Sequence, residues 1–188
     1  FNTTDKRPDS KVWDIYSNST NYTFVTNQCG NYTKEGDCYN REHSFPKSWF
    51  NDATPMYTDL FHLSASDGYV NGMRSNFPFG EVGTITYKST NEYSKLGSCS
   101  FPGYSGTVFE PANELKGDMA RTYFYMVTAY ENLITGWTSE HLDGKTYPGL
   151  NAWSIALLLK WHRQDPVSQK EIDRNNAIYT KFQHNRNP

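Results

Sequence analysis

The sequence predicts an α+β fold, and three observations point to it. Short segments rich in β-branched or aromatic residues, bounded by turn residues, occupy the first half. In the second half apolar residues recur three and four positions apart, the spacing of one helix face. Helix-start patterns precede those periodic stretches. At 188 residues the chain can bury roughly 70% of its unfolded surface in one core, so residues 1–188 are read as a single domain. Within it, 1–37 is a polar N-terminal segment, 38–80 carries the candidate site and 110–188 is helical support.

Taken in order, Val12 to Tyr16 and Tyr22 to Val25 read as short strands or edge segments between turn residues. Glu42-His43 has a strand-like flank that stops at Pro46. Ser64-x-x-Asp67 has the form of a capping box and predicts a short helix to about Ser75, which places His62 just before a helix N-terminus. Thr84 to Lys88 alternates as a strand does. Leu115, Met119, Tyr123, Met126, Val127 and Tyr130 form one stripe on a helix from about Asp118 to Leu133. Asn151 is placed to cap a helix that runs to Arg163 and ends at Asp165-Pro166. Ser168-x-x-Glu171 opens a last helix to about Gln183.

Aromatic residues make up 16% of the chain, which predicts an aromatic-rich core. The net charge of -2 excludes a global basic field of the kind that tight polyanion binders carry. A local patch is enough for an enzyme that must release its product. No apolar run approaches the ~18 residues that cross a bilayer, so no membrane span is expected. The chain begins at Phe1, which reads as a trimmed, exported form, secreted or periplasmic. Cys29 and Cys38, nine apart in a polar loop, are expected to form a disulfide and leave Cys99 over. Neither belongs to a CxxC pair, which argues against zinc.

Chemistry concentrates in Arg41-Glu42-His43-Ser44-Phe45-Pro46, His62 and the run Asn71 to Asn76. Phosphodiester hydrolysis requires a neutral base, a divalent ion and cationic donors for the backbone. His43 suits the base, because imidazole titrates near neutrality. Glu42 offers a hard oxygen to Mg²⁺, and His62 a ring nitrogen that broadens the site towards Mn²⁺. Neighbouring strand residues face opposite sides, so Glu42 and His43 share a site only where the strand ends, bends or bulges. Taken singly, each histidine is more often structural, and His141, His162 and His184 have no matching constellation. An exported aromatic binding module, for carbohydrate for example, is the alternative reading.

The runs Tyr39-Asn40-Arg41-Glu42-His43-Ser44-Phe45-Pro46-Lys47-Ser48-Trp49-Phe50, Thr58-Asp59-Leu60-Phe61-His62-Leu63 and Asp67-Gly68-Tyr69-Val70-Asn71-Gly72-Met73-Arg74-Ser75-Asn76 resemble the bacterial endonuclease I family. The resemblance continues through Lys116-Gly117-Asp118-Met119-Ala120-Arg121 to Asn185-Arg186-Asn187-Pro188. It implies a secreted or periplasmic, largely sequence-non-specific endonuclease with a ββα-metal, or His-Me finger, site. It makes His43 the base, Glu42 and His62 metal ligands, and DNA the substrate with RNA as a second, in a monomer. Relatives place an arginine near the ion, whereas the only basic residue between His43 and His62 is Lys47. Arg74 and Lys47 are therefore the expected phosphate contacts, with Arg121 a further candidate. Asn71 reads as a cap or backbone tie.

Overall fold

The computed structural model describes residues 1–187 and has a mixed α and β architecture with two small antiparallel sheets. Strand β1, Tyr39–His43, pairs with β2, Leu63–Asp67, in a register that sets Glu42 opposite Ser64 and His43 opposite Leu63. Pro46, which lacks an amide hydrogen to continue a ladder, opens a 3-10 turn over Lys47–Phe50. Helix α1, Gly68–Arg74, follows β2 directly, and Asp67 caps it by accepting the Val70 amide at 2.9 Å. The helix expected from Ser64 is thus corrected. Ser64, Ala65 and Ser66 belong to β2, because pairing with β1 and complete burial of Ala65 outweigh a local capping pattern. His62 accordingly precedes a strand.

The second sheet runs β3-β4-β5, from Val82–Lys88, Lys95–Cys99 and Thr107–Glu110. Only the first of these was expected. The β3–β4 register slips, and a Cβ on Gly97 would collide with the Thr84 carbonyl, so the close approach needs glycine. Val12 to Tyr16 and Tyr22 to Val25 are not strands. An isolated bridge joins Val12 to Lys6, and the Asp14 carboxylate bends the chain by accepting the Tyr16 and Ser17 amides and the Thr20 hydroxyl.

Helices α2, Lys116–Ala129, α3, Ala152–Gln164, and α4, Gln169–Lys181, form the second half. The predicted α2 stripe is buried from Leu115 to Val127. The helix ends at Ala129, short of the expected Leu133; residues 130–133 form a turn, and a 3-10 turn follows at Ile134–Gly136. The Ser168 capping box forms as expected. Asn151 does precede α3, but its amide donates to the Glu140 and Leu142 carbonyls instead of capping. Among the described residues no helix is long and apolar enough to cross a membrane.

These helices matter because they hold the segment between β1 and β2 from behind. The Tyr125 and Tyr130 hydroxyls donate to Asp59, Thr122 donates to the Phe61 carbonyl, and Arg174 on α4 donates to the carbonyls of Leu60 and Leu63. Phe45, Trp49, Phe50 and Trp137 pack beneath the same segment in an aromatic core.

Cys29 and Cys38 form the expected disulfide beside β1, with Cys99 free. Closing so short a loop restricts the unfolded chain, and reduction is expected to lower the unfolding free energy by ~2.5 kcal/mol. Urea unfolding with and without reductant, in a Cys99→Ser background, measures it; coincident curves would refute the contribution.

His141 gives a second test. Its fully buried ring stacks on Trp153 at 4.6 Å, and Nδ1 lies 2.8 Å from the Ser154 hydroxyl. Burial pushes its pKa down to about 3. The unfolded chain therefore takes up a proton that the folded chain refuses. The associated stability is intact above about pH 6.5 and is lost towards pH 3, at about 1.4 kcal/mol per pH unit. Relative to His141→Phe, the unchanged protein should lose about 2 kcal/mol more stability between pH 7 and pH 5. Parallel pH–stability curves for the two would remove His141 from the acid sensitivity.

Candidate active site

Alternation along β1 divides its side chains between two environments. Asn40 and Glu42 turn towards α1, while Arg41 and His43 turn towards Tyr57. On the α1 side, Glu42 is 3% exposed, and its Oε1 accepts from the Tyr16 hydroxyl at 2.6 Å and Arg74 Nη1 at 2.9 Å. Burial pushes the Glu42 carboxyl above its ordinary range, against the pull of Arg74 and Tyr16. No described side chain donates to its Oε2. One turn before Arg74 on the same helix, Asn71 donates through Nδ2 to Asn40 Oδ1 at 2.8 Å, and no described group donates to its own Oδ1. Two oxygens, one anionic on β1 and one neutral on α1, thus belong to the interface between that strand and that helix.

On the other side, His43 Nε2 lies 3.0 Å from the Tyr57 carbonyl oxygen. A carbonyl only accepts, so Nε2 carries the hydrogen and Nδ1 keeps its lone pair. Burial lowers the His43 pKa to about 4, with His62, Arg41 and Lys47 adding to the effect, and the ring is neutral at pH 7. It opens onto a groove of about 630 Å³ lined by Arg41, Lys47, Tyr57, Asn40, Gln28 and apolar neighbours, with no carboxylate in the lining. The charged side chains of that lining are Arg41 and Lys47, the second of them paired with Asp52.

The remaining candidates fall elsewhere. His62 is 1% exposed and packs 5.2 Å from His43, with Nδ1 at 3.2 Å from the Phe45 carbonyl and Nε2 at 2.7 Å from that of Met56. Burial lowers its pKa, against the opposing pull of the Met56 carbonyl, Asp59 and the Phe45 carbonyl. Both nitrogens face carbonyls, on the opposite side of β1 from Glu42, so the structure does not bring the two expected ligands together. Among the described residues no three His, Cys, Asp or Glu side chains gather in a metal-holding group.

Arg74 is corrected as a surface phosphate contact. It is 1% exposed and also donates to the carbonyls of His43 and Ser44, because the end of β1 leaves those acceptors without strand partners. Lys47 reaches the groove while paired with Asp52. Arg121 is corrected as a groove residue: it joins α2 to α4 through Glu171, at 2.6 and 2.7 Å, and the Asp165 carbonyl. Sequence reasoning missed Arg41 and Tyr57. Arg41 was recoverable, since two positions along a strand place it on the face of His43; Tyr57, in a three-residue 3-10 turn over Met56–Thr58, carries no periodic signal.

Comparison with known proteins follows the same lines. The chain is 40% identical over 154 residues to the extracellular ribonuclease of Bacillus amyloliquefaciens, an alignment covering 80% of this chain and 50% of the relative. It is 38% identical, with the same coverage, to the extracellular ribonuclease of Bacillus subtilis (strain 168). Endonuclease-1 of Buchnera aphidicola subsp. Baizongia pistaciae (strain Bp) is 30% identical over 132 residues, 70% of this chain and 45% of the relative. The chain spans about half the length of the curated relatives it matches. The family model for Endonuclease I matches residues 1–188, and the chain belongs to the Endonuclease I family.

Proposed function

We propose that the chain is a divalent-metal-dependent endonuclease that hydrolyses DNA and RNA with little sequence preference, and that β1, β2 and α1 form a ββα-metal, or His-Me finger, site. The observation that carries the reading is His43: a neutral imidazole, fixed in one tautomer by the Tyr57 carbonyl, at the mouth of a groove with cations and no carboxylate. Its Nδ1 takes the proton of the attacking water. An anionic phosphodiester in the groove favours the imidazolium and raises the ring's pKa towards the working range.

The ligand set Glu42 and His62 does not fit a metal, since His62 is held by backbone carbonyls on the other face. Glu42 Oε2 with Asn71 Oδ1 does fit, as a hard oxygen pair suited to Mg²⁺ and tolerant of Mn²⁺. When bound there, a divalent ion supplies neutralisation of charge on the phosphate and leaving oxygens. Arg74 fixes the Glu42 carboxyl, and Tyr16 shares that task. Phosphate contacts carry no base information, which supports indiscriminate cleavage. The relatives' printed names and the disulfide support export, and the reading takes a monomer.

Plasmid DNA and a structureless RNA incubated with Mg²⁺ or Mn²⁺ test this. Both should be cut, cutting should stop in excess chelator, and either ion should restore it. Cleavage that persists undiminished after exhaustive chelation would refute the metal dependence. Intact nucleic acid under every condition would favour a binding module instead.

A further inference from the structure

Tyr57 stands at the centre of the groove and is used by the reaction only through its backbone. Its ring lies 5.0 Å from the His43 ring, with the Arg41 guanidinium carbon 5.4 Å and Lys47 Nζ 5.7 Å from its centroid. Arg41 is exposed, makes no ion pair among the described residues, and contacts only the Tyr57 hydroxyl, through Nη2 at 3.4 Å. Arg7, Arg74, Arg121 and Arg174 all face carboxylates, and Arg163 and Arg186, which like Arg41 make no ion pair among the described residues, lie outside the groove. A half-exposed aromatic face under an uncommitted arginine, in a groove of nucleotide size, combines the two contacts by which single strands are held.

Resting on the nuclease reading, we infer that Arg41 and Tyr57 form a subsite for one unpaired nucleotide next to the scissile phosphate. The base lies against the Tyr57 ring, and Arg41, with Lys47, holds the flanking phosphates. A duplex buries its base faces in its own stack, so this subsite rewards single-stranded RNA or DNA over a duplex of the same sequence. Any base has a stacking face, so the preference is for strandedness and not for sequence.

The test compares the unchanged protein, Tyr57→Phe, Tyr57→Leu and Arg41→Gln on three labelled substrates: a single-stranded oligonucleotide, its duplex and an abasic strand with the same backbone. The single strand should be cut with the higher kcat/KM. Tyr57→Phe, which keeps the ring but loses the hydroxyl that accepts from Arg41, should keep the discrimination between normal and abasic strands, any change in KM falling equally on both. Tyr57→Leu should raise KM for the single strand by about fivefold to a hundredfold, with kcat nearly constant and the abasic strand little affected. Arg41→Gln should raise KM for normal and abasic strands alike and reduce the salt slope of binding by about one. Equal effects of Tyr57→Leu on normal and abasic strands, or an unchanged KM, would overturn the subsite, the first by showing a purely structural role. Fluorescence anisotropy of the same strands in chelator separates this from the function itself. A protein that cuts nothing yet loses single-strand binding in Tyr57→Leu refutes the nuclease reading and keeps the subsite; one that cuts but binds normal and abasic strands equally does the reverse.

Discussion

Replacing His43 by Ala is expected to lower kcat on plasmid DNA by at least about a hundredfold, and by up to about ten-thousandfold, while the fold persists. The expectation follows from three positions. His43 ends β1, so its ring projects past the ladder into the groove. The Tyr57 carbonyl holds Nε2–H, which directs the Nδ1 lone pair outward and fixes the tautomer before substrate arrives. The loop bearing that carbonyl is anchored by Asp59, which accepts from Tyr125, Tyr130, the Phe61 amide and Gln183, so the base is held by the helical half. The ring is 7% exposed and packs on Tyr57 and His62, so its loss removes some packing as well as the acceptor, and a urea-unfolding curve of the Ala variant separates the two effects. Added imidazole should recover part of the lost rate in the Ala variant, because its site remains open to the groove. A variant within about threefold of the parent, set against the loss expected for a general base, would mean that another group activates water.

What the chain disclosed about itself depended on how local each signal was. Ser168-x-x-Glu171 forms its capping box, and the α2 stripe is buried where its spacing said, because caps and amphipathic faces are decided within a few residues. Strand β4 escaped notice, since Lys95-Leu96-Gly97-Ser98-Cys99 has neither alternation nor branching and exists by pairing on both sides, and β5, though Thr107-Val108-Phe109 is strand-like in composition, is an edge strand only four residues long. Ser64-x-x-Asp67 misled because Asp67 is itself the cap and Ser64 belongs to a ladder that only β1 can supply. At the site, Glu42 and His43 were legible as chemistry but not as geometry. Adjacent in sequence, they face different neighbours, and the direction of His62 depended on where the Phe45 and Met56 carbonyls come to rest.

Arg74→Met is expected to cost about 3–5 kcal/mol of folding stability, the range for breaking a buried ion pair by removing one partner. The guanidinium makes three hydrogen bonds, to Glu42 Oε1 at 2.9 Å and to the carbonyls of His43 and Ser44 at 3.1 and 2.8 Å, and lies 4.7 Å over the Phe79 ring. Met fills much of the volume but leaves a buried carboxylate with the Tyr16 hydroxyl and no cation, and takes one donor from each of two carbonyls, of which that of Ser44 keeps the Tyr123 hydroxyl. Adding Glu42→Gln to Arg74→Met removes the orphaned charge, so the double variant should recover part of the loss; a double-mutant cycle read by urea unfolding measures the coupling. The same experiment separates the two roles that an arginine in Asn71-Gly72-Met73-Arg74 can play. A phosphate contact on the surface would change KM and the salt dependence of cleavage and leave the unfolding midpoint within about 0.5 kcal/mol of the parent. A residue that holds both Glu42 and the carbonyls of His43 and Ser44 shifts the midpoint first, and cleavage fails because neither the carboxylate nor the end of β1 that carries His43 keeps its place.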